Sequence, residues 1–178
     1  MNKTIKKVAV LVATGSEEIE TITPVDVLRR SGTQCDVVSV SEREVVMSRN
    51  VKLVADKLIS EVDLGEYDGI VIPGGMPGAV NISNCEKAIK GIGKALRENK
   101  KVFSICASPA VVLAKNGLLP CNKATCYPAP EFINLIGKDK YTGCDVEVCG
   151  NIVTANGPTS ALEFSIKICQ EMGLPVNL

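Results

Sequence analysis

Apolar positions along this chain recur with two spacings, and the alternation between them lays out its elements. Residues 7–13 form a nearly continuous apolar run, the pattern of a strand covered on both faces. Residues 17–30 follow as a helical segment, with Gly32 placed to end it. Residues 35–40 read as a second strand, and Val45, Val46 and residues 51–55 as a small antiparallel excursion. Another buried strand, 69–73, ends in Gly74 and Gly75. Over residues 85–99 the period lengthens: Ala88, Ile89, Ile92 and Leu96 share a face, while Lys90, Lys94 and Glu98 are polar, which predicts an amphipathic helix. Residues 101–105 form a strand that runs straight into Cys106 and a helical stretch over 110–115. Strands are predicted at 123–126, 144–148 and 152–155, and a last helix over 160–172 with Ile166 and Cys169 among its apolar positions. Strands alternating with helices through right-handed crossovers give a parallel α/β sandwich, here one domain over 1–178. Ligands of such sheets gather at the carboxyl ends of strands. That points to 13–15, 73–75 and 105–107.

Composition narrows the chemistry. Of 178 residues, 46% are hydrophobic, enough for a substantial core, and 20 basic residues balance 20 acidic ones. A neutral balance argues against a nucleic-acid surface, which carries a basic excess. The apolar runs, such as 8–13, fall far short of a membrane span. The first seven residues lead directly into a strand-like run and lack the extended apolar region of a secretory leader, so a cytoplasmic domain is expected. There is no histidine. A Ser-His-Asp or Cys-His triad within the chain is thereby excluded, as is any zinc site using imidazole. Acid–base work falls to carboxylates, thiols, tyrosine, lysine or water.

Eight cysteines stand at 35, 85, 106, 121, 126, 144, 149 and 169, and in a reducing compartment they are thiols. The pairs 121/126 and 144/149 share a spacing that suggests a four-thiolate metal site. Residues five apart on a strand face opposite sides, however, so 144–149 does not suit one. Most of the eight read as small buried hydrophobes. No metal or cofactor is expected.

Cys106 is the exception. It sits between an apolar strand and a helical segment, where a sharp turn exposes a nucleophile and strains its own backbone. The helix start favours thiolate, and small Ala107 leaves room for close approach. Gly74 and Gly75 let the backbone come close to a ligand and offer N–H groups to developing negative charge. Glu17, Glu18 and Glu20 follow the first strand, and a partly buried carboxyl among them can exchange a proton with a thiol. Spacing alone does not choose among the three.

At these places the chain resembles the DJ-1/PfpI superfamily, most closely its DJ-1 branch, over residues 8–172. The resemblance rests on 15–21, 24–30, Ser48 and Arg49, Tyr67 and Asp68, 73–75, 105–107, 156–158, and Glu163 with Phe164. It implies a flavodoxin-like fold, a strand–nucleophile elbow–helix at Cys106, and a homodimer. It implies Cys106 as the reactive, oxidation-prone cysteine and Glu20 as its carboxyl partner. Gly75 and Ala107 would supply the anion-pocket N–H groups beside Gly74, with Arg49 (from across the dimer) and Pro158 near the site. Two departures stand out. Tyr127, followed by Pro128, occupies the place of a family histidine, with Cys126 before it as a possible neighbour of the site. The chain also stops at Leu178, where many relatives continue with another helix, so an open patch is expected there.

The resemblance implies glutathione-independent glyoxalase or deglycase chemistry on reactive aldehydes, methylglyoxal to lactate, or on glycated substrates. The alternative is a non-enzymatic redox sensor with a chaperone-like readout, in which Cys106 becomes a sulfinate. Protease or amidotransferase chemistry is disfavoured because both lean on the missing histidine.

Overall fold

Strand β1 (Lys7–Val12) shows why its run is apolar throughout. Val8, Val10 and Val12 enter the core on one side of the sheet, and Ala9 and Leu11 enter the core on the other. The computed structural model describes residues 5–178. The reading of the leader region falls, for residues 1–4, outside the described residues. The remaining elements are α1 (Glu18–Arg30), β2 (Gln34–Ser39), β3 (Glu44–Val46), β4 (Lys52–Val54), β5 (Lys57–Leu58), β6 (Gly69–Ile72) and α2 (Gly78–Ser83). After them come α3 (Glu86–Arg97), β7 (Lys101–Ile105), α4 (Pro130–Ile136), β8 (Val146–Cys149), β9 (Ile152–Ala155) and α5 (Ala161–Met172).

Seven strands form one sheet in the order β5-β2-β1-β6-β7-β9-β8. Every pairing is parallel except β8 with β9, an antiparallel hairpin at the edge. β3 and β4 pair antiparallel apart from the sheet, as the sequence predicts. Helices α1 and α5 cover one face. Leu28, Phe164 and Ile168 there meet Val10, Phe103 and Ile105. Phe103 and Phe164 are fully buried, each contributing about 1.5–3 kcal/mol of hydrophobic stabilisation. Helices α2 and α3 cover the other face with Ile82, Ala88 and Ile92, and the predicted stripe of α3 is the one that packs. This is the flavodoxin-like layering, with helices on both sides of a mostly parallel sheet.

Three features depart from the sequence reading. The predicted strand at 123–126 is a single bridge between Ala124 and Tyr141. β9 is already flanked by β7 and β8, so this stretch cannot pair with it, and the Thr125 N–H donates instead to Thr154 Oγ1 at 2.9 Å. The edge strand predicted at 144–148 starts later, at Val146. Short elements α2, α4 and β5 carry too few periodic positions to stand out from the intervening loops. After β7 the chain turns through a π-helical turn, Pro109–Leu113, that tightens to a 3-10 turn over Ala114–Asn116.

Candidate active site

Adjacent strands β1, β6 and β7 deliver three loops to one end of the sheet. Gly15, Gly74 and Gly75, and Cys106 leave those strands side by side. The backbone packing is tight. A Cβ on Gly74 would lie 2.6 Å from Cys106 Cβ and 2.7 Å from Glu20 Oε2, and one on Gly75 would lie 2.5 Å from the Gly15 carbonyl. Ser108, fully buried, donates its hydroxyl to the Pro73 carbonyl at 2.5 Å and ties the two turns together.

Cys106 is the elbow. Its φ is +66°, a left-handed conformation that costs a side-chain-bearing residue on the order of 1–3 kcal/mol. It is held there by its own N–H to the Ala155 carbonyl (2.9 Å) and by the Tyr127 N–H to its carbonyl (2.9 Å).

The structure separates the three glutamates. Glu17 caps α1, its Oε2 accepting the Glu20 N–H at 2.8 Å, and its side chain lines the cleft. Glu18 turns to the loop between β3 and β4, accepting the Ser48 hydroxyl at 2.8 Å and the Arg49 N–H at 2.6 Å. Glu20 alone points inward. It is fully buried, accepts the Gly74 N–H through Oε2 at 2.8 Å, and meets the Cys106 thiol. Its Oε1 has no aligned donor. Burial, reinforced by the Glu17 charge, raises the Glu20 carboxyl from 4.5 to about 7 against the pull of the Cys106 and Gly74 hydrogen bonds.

Burial also pushes the Cys106 thiol upward, and the charge and hydrogen bond of Glu20 push it further. The Gly75 and Ala107 N–H groups pull it down but do not win. The thiolate expected from the helix start is therefore opposed while Glu20 is ionised. Protonating Glu20 removes that opposition. The carboxylic acid can then donate to the sulfur, so the pair shares one proton.

The cleft above Cys106 has a volume of about 400 Å³ and is lined by Glu17, Ser48, Arg49, Gly75, Met76, Cys106, Ala107, Tyr127, Phe132 and Pro158. It brings together most of the residues singled out from the sequence. Tyr127 stands in it half-exposed, and Arg49 lines the cleft of its own chain. Two expectations are corrected. The Gly74 N–H is taken by Glu20, so the N–H groups left for the sulfur are those of Gly75 and Ala107. Cys126 is fully buried in the core, its thiol donating to the Tyr127 carbonyl at 3.3 Å, and burial pushes it up to about 12. Neighbours on an extended chain face opposite ways, so with Tyr127 in the cleft Cys126 turns from it. Phe132 and Met76 were missed. Pro130 followed by apolar 132, 133 and 136 is the helical signal that reveals Phe132; nothing in the pattern marks Met76.

Among the described residues, no three His, Cys, Asp or Glu side chains are grouped to hold a metal ion, and no helix is long and apolar enough to cross a membrane.

Comparison with known proteins agrees with this geometry. Protein DJ-1 homolog B of Arabidopsis thaliana is 39% identical over 166 residues, covering 93% of this chain and 37% of the relative, so the chain spans less than half of that protein. The glutathione-independent glyoxalase DJR-1.2 of Caenorhabditis elegans is 30% identical over 90% of this chain and 84% of its own length. The structure of oxidised Toxoplasma gondii DJ-1 superposes with a TM-score of 0.89 at 43% identity, over 94% of this chain and 90% of that one. The DJ-1/PfpI family model matches residues 6–171, and the chain belongs to that family.

Proposed function

We propose that this protein converts small 2-oxoaldehydes, methylglyoxal in the first place, to 2-hydroxy acids without glutathione, using Cys106 and Glu20. The observation that carries this reading is the contact between a strained, cleft-lining thiol and a fully buried carboxyl whose proton affinity is set near neutrality. The Cys106 sulfur adds to the aldehyde carbon, and its proton passes by way of Glu20 to the new oxygen, leaving Glu20 ionised. The resulting hemithioacetal oxygen lies towards the Gly75 and Ala107 N–H groups, donors suited to the charge that develops there. Glu20 then removes the hydrogen from the former aldehyde carbon while the hemithioacetal hydroxyl passes its proton to the neighbouring carbonyl oxygen, and an enediolate forms. Returning that proton to the neighbouring carbon leaves a lactoyl thioester. Water cleaves it, releasing lactate and restoring the thiol. The chain has no histidine, so Glu20 is the single acid–base group of the scheme. The same first addition serves removal of early glycation adducts. A relative named as a glutathione-independent glyoxalase supports the assignment.

The test is lactate formed from methylglyoxal by purified protein with no added thiol. Turnover above buffer that disappears in Cys106→Ser supports the proposal, and wild-type yield equal to buffer defeats it.

A second reading has an observation of its own. Two N–H groups and a carboxyl surround the Cys106 sulfur, a setting that would hold a sulfinate, and a related structure is of an oxidised protein. In this reading Cys106 is a redox sensor. We further propose a cytoplasmic homodimer. Support for a contact along α1 comes from Ile19, Ile22 and nearby Val51, apolar yet 52%, 42% and 50% exposed.

A further inference from the structure

We propose that Cys121 and Cys149 form a second redox site, separate from Cys106, which a peroxide closes into an intramolecular disulfide. The two residues belong to different members of the paired cysteine spacings, and only the fold brings them together. The Cys121 thiol donates to the Cys149 carbonyl at 3.6 Å, and the Cys149 thiol donates to Oδ1 of Asn122, the residue next to Cys121, at 3.8 Å. Thiols held this near one another's residues need side-chain rotation and a small backbone adjustment to reach bonding distance, about 2.05 Å.

Local structure allows that adjustment. Cys149 is the last residue of the edge strand β8, at the turn into β9 where Gly150 takes φ +62°. Cys121 lies outside any regular element, in the stretch between the 3-10 turn ending at Asn116 and the Ala124 bridge. The two thiols also differ in the way a peroxidatic and a resolving cysteine do. Cys149 is only partly buried, with its thiol 3.8 Å from Asn122 Oδ1, so peroxide reaches it first. Cys121 is buried, and burial together with the Cys149 side chain pushes its thiol up to about 12, against the pull of Lys140. A second cation, Lys123, pairs with Glu147, 2.8 Å away on the strand β8 that also carries Cys149.

The chemistry balances with one peroxide. The Cys149 sulfur attacks a peroxide oxygen and the O–O bond breaks, leaving Cys149 as a sulfenic acid and releasing one water. The Cys121 sulfur then attacks the Cys149 sulfur. The hydroxyl departs with the Cys121 proton as a second water, and the S–S bond forms. Two electrons pass from the two thiols to the peroxide. None of this depends on the aldehyde chemistry proposed for Cys106.

The experiment treats the fully reduced chain with hydrogen peroxide, alkylates the remaining thiols and maps tryptic peptides without reduction. The expected product joins peptide 116–123, which carries Cys121, to peptide 141–167, which carries Cys144 and Cys149. It persists in Cys106→Ser and in Cys144→Ser and is lost in Cys149→Ser, a substitution at a partly exposed site that the fold tolerates. Free, alkylated thiols at both 121 and 149 under conditions that oxidise Cys106 overturn the proposal. So does Cys149 driven to sulfinate beside a free Cys121, or a linked peptide that survives Cys149→Ser.

Discussion

The Glu20 carboxyl takes the Gly74 N–H at 2.8 Å and meets the Cys106 thiol, so a single buried side chain from α1 joins the loop after β6 to the elbow after β7. Three segments far apart in sequence are locked at one point. The acid–base group of the proposed chemistry is therefore also part of the site's framework, and its two roles can be probed separately.

The first probe is pH. Glu20 holds its proton more tightly in the folded chain, at about 7, than in the unfolded chain, at 4.5. Its contribution to stability is thus complete below about 4.5 and is lost as pH climbs through about 7. A shift of this size corresponds to about 3 kcal/mol. Glu20→Gln keeps the shape and the acceptor for Gly74 but cannot ionise. Denaturant melts of both proteins between pH 5 and 8 should show wild type losing stability relative to the variant as pH rises. Parallel curves would show that Glu20 titrates as an ordinary carboxyl.

Gly74→Ala tests the close approach. The added methyl would sit 2.6 Å from Cys106 Cβ and 2.7 Å from Glu20 Oε2, and only their separation relieves it. We expect destabilisation of about 1–3 kcal/mol, as for other overpacked sites. Lactate formation should fall by about a hundredfold, because a misplacement of an ångström has that scale of cost. Unchanged turnover would show that the contact of the pair is not needed.

How much of this was legible in the chain depends on burial. β1, β6, β7 and β9 lie at the centre of the sheet with both faces covered, so their apolar runs announce them. Cys106 was legible because a strand, a cysteine and a helical stretch follow without a linker. Glu20 was not separable from Glu17 and Glu18 by spacing. Which carboxyl turns inward depends on the position of the Gly74 loop, 54 residues away along the chain. The 123–126 stretch looked like a strand but lies beside β9, which β7 and β8 already pair on both sides. Phe132 sits on a helix of only seven residues, too short for its period to emerge.

Glu18 positions Arg49. Burial opposes its ionisation, but hydrogen bonds from Ser48, Arg49 and Val51 outweigh that and hold its carboxyl below the ordinary value. Glu18→Ala frees the loop that sets Arg49 at the cleft, so KM should rise by about threefold to tenfold with kcat less affected. A loss confined to kcat would contradict this positioning role.

The strain at Cys106 predicts a reversal of the usual glycine penalty. At φ +66° a Cβ is unfavourable and glycine is not. Cys106→Gly should be more stable than Cys106→Ala by on the order of 0.5–1 kcal/mol in denaturant melts, with both inactive. If alanine is the more stable, the elbow is unstrained.

The central claim is that Cys106 captures the aldehyde and Glu20 moves the proton. It is tested most directly by giving methylglyoxal to wild type, Cys106→Ser and Glu20→Gln, and following lactate and the intact mass of each protein together. The account predicts lactate from wild type alone and a methylglyoxal adduct on Cys106 that accumulates in Glu20→Gln without lactate. Neither should appear in Cys106→Ser. Lactate at the wild-type rate from either variant would contradict it.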